Sequence, residues 1–507
     1  MLVFFHPVKG SMVAIRIVYA LSSAVHLKIL VMRAPRFYKL LFLLVMALPL
    51  LMTCDKDKTK EKPLIHENGN ADDNGETPPP PEHIGGQYFV APTGSDNGPG
   101  SREQPWKSWN KAFKTAQAGD TVYFRGGVYH SSADNGGERD FNSGTDEKPI
   151  CFFNFPGEIP ILDCSHRPLD LGYNKGIALW HAQNIHMKGL QIRNVFQRMD
   201  AHAVGLEAWN VANITFENMT IHNVSGEGFL VADYHGTIRY LNCDAYALCD
   251  TLQSAVYPTP GSPGQNGAGF HFRAYSDTPG ATESKLLYEG CRAWQFSDNG
   301  FAGTSVGYVE WNHCWAFNGG DFSGEGCGFK YASTYRENNT LELARVIKNC
   351  IGAHNGAYGF SPNNSGDAPM TGRYFHNTAY YNGYKEDIGH GLGYGWIIMQ
   401  TNSPQAPEGE LYANNLSYDN RKGDFHRVRT QETHDTHNSW NIDVALSDEL
   451  FESVDWDELS RPRKSDGSLP DIAFMKPKSG TPLIDVGREV GLDFRGEAPD
   501  LGAFEIE

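Results

Sequence analysis

Positive charge is scarce in this 507-residue chain, in which 43 Lys and Arg stand against 60 Asp and Glu for a formal charge of −17. So acidic a body argues against nucleic acid as a partner and does not by itself attract an anionic polymer, so a polyanion would need a local basic or metal-bearing groove. The nine cysteines include no C-x-x-C spacing, which removes the usual zinc and dithiol motifs. The apolar run Leu40 to Met52 is too short to span a bilayer. The central repeats carry no adjacent Asp pair, so hydrolysis by paired carboxylates has no evident seat there.

What the N-terminus does contain reads as an export signal. Arg33, Arg36 and Lys39 precede the apolar run, and Cys54 follows it; this order of basic, apolar and small residues marks a targeting segment rather than part of a fold. Leu51-Met52-Thr53-Cys54 resembles a bacterial lipobox, and the signal is complete from Met32, the expected true start. Residues 1–54 are therefore expected to be a lipoprotein signal with Cys54 lipidated, the alternative being a plain secretory signal. The first 53 residues hold six bases and no acids, so their removal takes the formal charge from −17 to −23. Residues 55–84 are charged and then proline-rich, ending in Pro78 to Pro81, a composition that predicts a disordered tether. The body, 85–507, is expected to be one domain and a monomer, exported and held at the outer membrane or cell surface by lipid alone, or else secreted or periplasmic.

The body is repetitive. A Gly followed by a large apolar residue recurs at Gly228-Phe229, Gly269-Phe270, Gly300-Phe301, Gly328-Phe329, Gly359-Phe360 and Gly395-Trp396, in steps of roughly 30 to 40 residues. A second series of alternating segments runs between them, from Ile185–Asn194 to Tyr374–Tyr381; Cys243, Cys291, Cys314 and Cys350 share one slot of it, and Asn242, Asn349 and Asn377 are assigned to the slot just before. Two interleaved strand series recurring once per turn predict the coils of an all-β parallel β-helix, with the cysteines as buried packing thiols. Strand alternation then points each aromatic inward and the next residue outward. Leu230, His271, Ala302, Lys330, Ser361 and Ile397 form an outward column, which places Lys330 on an exposed face in register with Ala302 and His271.

Residues 88–124, with a short helix expected around Trp109 to Ala116, resemble the entry segment of secreted right-handed β-helix proteins, in which such a helix caps the open end of the core. Inserts at Ser254–Asn266, Ser361–Pro369 and Tyr384–Gly393 are placed to wall a groove. A helical stretch is expected within 448–462, and the ending around Leu483–Gly487 and Ala498–Glu505 resembles the closing coil of bacterial β-helix enzymes.

The block Gly290-Cys291-Arg292-Ala293-Trp294, Ser297 to Phe301, Cys314 to Asn318 and Gly324 to Lys330 resembles polysaccharide lyase family 9, which includes pectate and rhamnogalacturonan lyases. The resemblance implies a right-handed β-helix that cleaves a uronate-bearing polysaccharide by β-elimination, with Lys330 as the Brønsted base. A lysine can serve only as the neutral amine, so a nearby cation is expected to depress its pKa. The family's calcium ligands fall on Ala268, Asp298, Asn299 and Ala302, leaving one carboxylate; Asp298 and Asn299 make a degenerate calcium site for an ion that wants six to eight oxygens, and Glu227 is a candidate substitute ligand. Arg273 falls where the family carries a base and is the candidate to grip the uronate carboxylate, with His271 beside it as a substrate contact. Two other classes stay open: an inverting glycoside hydrolase, for which Gly389-His390-Gly391 is a faint motif, and a non-catalytic glycan-binding β-helix.

One consequence is testable in cells. Fatty-acid labelling of the expressed protein should be lost in Cys54→Ala; equal labelling of both forms, or none in the parent, would remove the lipid anchor.

Overall fold

The computed structural model describes residues 2–8, 12–18 and 85–506, apart from 132–136, 168–173, 198–202, 250–263, 276–277, 321–323, 332–342, 363–370, 385–392, 399–408 and 428–433. Leu2–Val8 and Met12–Val18 pair as an antiparallel two-stranded sheet. Cys54, the apolar run 40–52, the tether 55–84, His390 and most of the three inserts lie outside the described residues.

Residues 79–507 form a separate compact unit. Its strands wind into three parallel sheets of 9, 10 and 12 strands, each strand paired with its counterparts one coil before and after. This is the parallel β-helix that the repeats predict. The Gly-aromatic segments all belong to the 9-stranded sheet, which runs from Asn174–Trp180 to Gly423–Arg427. Phe229, Phe270, Phe301, Phe329, Phe360 and Trp396 are fully buried and stack with centroids 4.1–4.9 Å apart, the spacing of the strands that carry them.

The second predicted series is two sheets, not one. It breaks at a left-handed corner occupied by Gly189, Asn218, Asn242, Gly290, His313, Asn349, His376 and Asn414, with φ between 49° and 68°. That conformation favours Gly and Asn, which explains Asn242 and Asn349 and corrects the placement of Asn377. Asn377 lies one residue further on, in the cysteine slot. Cys243, Cys291, Cys314 and Cys350 are buried and free, and the column continues through Asn377, Asn415 and Asn438. Each side-chain Oδ1 accepts the backbone N–H of the slot before it, Asn377 from Cys350 at 2.9 Å, Asn415 from Asn377 at 3.0 Å and Asn438 from Asn415 at 2.9 Å. A buried thiol needs no partner, whereas the amides satisfy one another.

The helix Trp109–Thr115 closes the N-terminal end. The Ser108 hydroxyl accepts the Lys111 N–H at 3.1 Å as its N-cap, and Trp109 and Phe113 pack on Phe124 and Phe152. At the other end the coils run on past residue 420, through Gly423–Arg427 and His434–Thr436. The expected closing coil is absent among the described residues: 440–506 contain no strand, only 3-10 turns at Asp448–Leu450 and Trp456–Ser460. Instead Phe451, Leu459, Phe474, Leu483 and Leu501 lie over Trp315, Phe317, Ile351 and Tyr380 on the outside of the 10-stranded sheet. Arg292 pins this strap by donating to the carbonyls of Leu459 and Arg461 and to the Asp244 carboxylate.

Removing one ring from the aromatic stack opens a cavity that neighbours held in register by two ladders cannot fill. Phe301→Ala should therefore cost about 3–5 kcal/mol in unfolding free energy, read by chemical denaturation; a loss below about 1 kcal/mol would show that the coils collapse around the gap.

Candidate active site

The outward column of the 9-stranded sheet has the predicted register: Leu230 opposite His271, His271 opposite Ala302, Ala302 opposite Lys330 and Lys330 opposite Ser361. It is not exposed as expected. Leu230, Ala302, Ser361 and Ile397 are buried and only His271 and Lys330 are half-open; at Ile397 the cover comes from Tyr358 and Tyr394. The column forms the floor of a cleft of about 250 Å³ that Lys330, Arg273, His271, Asp298, Asn299 and Glu227 all line. Every sequence-predicted site residue that the structure describes thus meets in one place.

Lys330 ends the strand Cys327–Lys330, and its ammonium is bound by the Glu325 carboxylate. Gly326 makes this contact possible. Its φ of 70° reverses the chain between Glu325 and the strand, and a Cβ there would lie 2.6 Å from the Gly320 Cα. The turn is clamped to the preceding coil, with the N–H groups of Gly326 and Cys327 donating to the Asp298 carbonyl at 2.7 and 3.1 Å, and the Glu325 N–H to Asp298 Oδ1 at 3.2 Å. Two carboxylates therefore face one lysine.

Their electrostatics correct one expectation. Burial pulls the Lys330 pKa down, but the charges of Glu325 and Asp298 and the bond to Glu325 outweigh it, so the ammonium is held above its ordinary value. Among the described residues the charged groups that act on it most strongly are acids. Burial pushes the Asp298 carboxyl up to about 7; Lys330 pulls the other way and Glu325 adds to the rise.

His271 Nδ1 lies 2.7 Å from Glu227 Oε1, which places both as predicted and ties the imidazole to a buried acid. Arg273, two residues further along the same face, is half-buried in the cleft, and its Nε has no hydrogen-bond partner among the described residues. A buried guanidinium N–H left without a partner is costly.

The donor set does not fit a tight calcium site. Asp298 Oδ2 accepts the Asn299 amide at 2.6 Å, the Asn299 Oδ1 is buried without a partner, and the next carboxylate, Glu325, is held by Lys330. Among the described residues no three His, Cys, Asp or Glu side chains converge on a point where one ion could sit, whereas calcium takes six to eight oxygens.

Sequence reasoning missed Glu325, although it stands five residues before Lys330 in the same glycine-rich segment. Its role depends on a turn whose direction local pattern does not reveal. Tyr275, 43% exposed at the cleft edge, carried no signal.

A cleft of charged and polar side chains on the outer face of a parallel β-helix sets the class of the protein as a β-helix with a polar site on its face. The family model described as "Pel9A-like, right handed beta helix region" matches residues 88–438, and the protein belongs to that family, the polysaccharide lyase family to which the motifs around Lys330 point. Pectate lyase L of Dickeya dadantii (strain 3937) is 26% identical over 433 residues, 82% of this chain and 90% of that protein. Two solved structures share the fold at 24% identity: pectate lyase Pel9A, with a TM-score of 0.61 over 83% of this chain and 96% of that one, and a rhamnogalacturonan lyase, with a TM-score of 0.62 over 78% and 96%.

Millimolar calcium should leave the thermal midpoint within about a degree of its value in chelator, since only ligand that binds the native state stabilises it. A rise of several degrees that Asp298→Ala abolishes would mean that further oxygens complete a site.

Proposed function

We propose that this protein is an exported enzyme that cleaves a uronate-bearing polysaccharide by β-elimination, with Lys330 as base and Arg273 as the carboxylate clamp. The observation that carries the proposal is that Arg273, whose buried Nε has no hydrogen-bond partner among the described residues, lines the same cleft as Lys330. Elimination removes the proton at C5 of the uronate, pushes its electrons through a new C4–C5 double bond and expels the O4 glycosidic oxygen. Charge builds on the carboxylate as the proton leaves, so a guanidinium fork is worth more in the transition state than in the ground state. Lys330 must first lose its own proton. Glu325 and Asp298 resist that loss, so the active fraction grows with pH and the optimum is alkaline. Calcium is not assigned a step. Cys54 is proposed as a lipid anchor that would leave the body exposed at the end of the 55–84 tether.

One observation favours a second reading. Asp298 stays protonated up to about 7 near a second carboxylate, Glu325, as a hydrolase acid and base would be. Elimination alone creates the double bond that absorbs near ~235 nm, so the product spectrum separates the two.

On a panel of acidic polysaccharides, Lys330→Ala should lose roughly 10²- to 10⁴-fold in elimination, and Lys330→Arg should not restore it because a guanidinium keeps its proton. Arg273→Ala should lower kcat more than it raises KM. Glu325→Gln removes the nearest negative charge from Lys330, lowers its pKa and should move the acid limb of the pH profile to lower pH. Reducing ends without ultraviolet absorbance would replace elimination by hydrolysis.

A further inference from the structure

The register of the 9-stranded sheet carries the outer face on beyond the Lys330 cleft. The outward column that contains Arg273 runs back through Ala232 and Trp209 to Trp180. Trp209 therefore lies two strand spacings from Arg273, about 9.6 Å along the helix axis, on the same face and with only the small side chain of Ala232 between them. Trp209 is 40% exposed, whereas Trp106, Trp109, Trp311, Trp315 and Trp396 are all buried. Its indole is not mobile decoration. Nε1 donates to Asp233 Oδ2 at 2.5 Å, and Trp180 meets the ring edge-on at 6.0 Å. Trp180 is itself fixed, with Nε1 donating to Glu207 Oε2 at 2.6 Å and the Lys175 ammonium 4.4 Å above its ring.

We propose that Trp209, braced by Trp180, is a second subsite that stacks on the ring face of an uncharged sugar in the same polysaccharide chain. This rests on the reading of the Lys330 cleft as a polysaccharide site and adds to it a preference about composition. A rigid aromatic with one open face offers contact area at little cost in conformational entropy. The charges around it select the sugar. Asp233 presents a carboxylate, whereas Glu207 is largely buried and paired with the Lys175 ammonium; His181, 5.3 Å from the Trp209 ring, shares its Nδ1 with Asn210. A uronate here would meet like charge, while the hydroxyls of a neutral sugar can donate to Asp233. The cleft therefore pairs a cationic subsite at Arg273 with an acid-flanked aromatic subsite two coils away, which suits a polymer whose uronates are interspersed with neutral sugars better than a homouronan.

The test is binding in a Lys330→Ala background, where no turnover interferes. By calorimetry, two oligosaccharides of equal length are compared, one alternating uronate with neutral deoxyhexose and one of uronate only. Trp209→Ala should weaken the alternating ligand roughly tenfold and the homouronan much less, as expected for loss of one aromatic contact. Trp209→Phe, which keeps a ring face, should retain most of the affinity, and unchanged thermal midpoints would exclude misfolding. Equal losses for both ligands, or none for either, overturn the proposal. Elimination by the parent protein is measured separately, so a chain that binds selectively through Trp209 without elimination would fail the lyase reading and not this one.

Discussion

Parallel pairing in register is the constraint on which the rest of the molecule depends. It brings the same slot of successive coils to within one strand spacing, so whatever a slot holds must tolerate its own copy above and below. Aromatic rings meet that demand by stacking, and the six buried aromatics from Phe229 to Trp396 do so across six of the nine strands of the sheet. Thiols meet it because they need no partner, and amides because each carries both donor and acceptor. The cysteine column can therefore pass into Asn377, Asn415 and Asn438 without a break.

The same constraint builds the site. On the outer face, register sets Glu227, His271, Asp298 and Lys330 on adjacent coils, close enough for their charges to be felt in full because the cleft is half-dry. Their mutual effect is not what a lone base would want. Burial pushes the Asp298 carboxyl up to about 7, while at Lys330 the charges of Glu325 and Asp298 outweigh burial and hold the ammonium charged. Arg273 lies two coils before Lys330 in the same sheet, so the two cations of the cleft are separated along the helix axis.

How far this could be read beforehand differs from residue to residue. Lys330, His271 and Ala302 share a column because strand alternation has a period of two and Gly-Phe marks its phase, so counting alone places them. Asn377 was displaced by one slot because the left-handed corner before it is filled by His376 rather than by the Asn seen at Asn242 and Asn349. The closing coil failed for a related reason: the apolar spacing of 483–504 is that of a strap laid over Trp315 and Tyr380, and apolar residues at irregular intervals do not say which surface they will cover.

The coil architecture, the inward aromatics, the thiol column and the convergence of Lys330, Arg273, His271 and Asp298 were determined by the amino-acid order itself, since each is a consequence of a repeat and a two-residue period. The sign of the field around Lys330 was not. It is set by Glu325, which the left-handed turn at Gly326 folds back onto the lysine, and by Asp298 from the coil before. Likewise the openness of Trp209, where Trp106, Trp109, Trp311, Trp315 and Trp396 are buried, depends on what packs over each ring. Distances between charges and the cover over a surface are properties of the packed chain, and these tertiary contacts alone decided whether the lysine faces a cation or two acids.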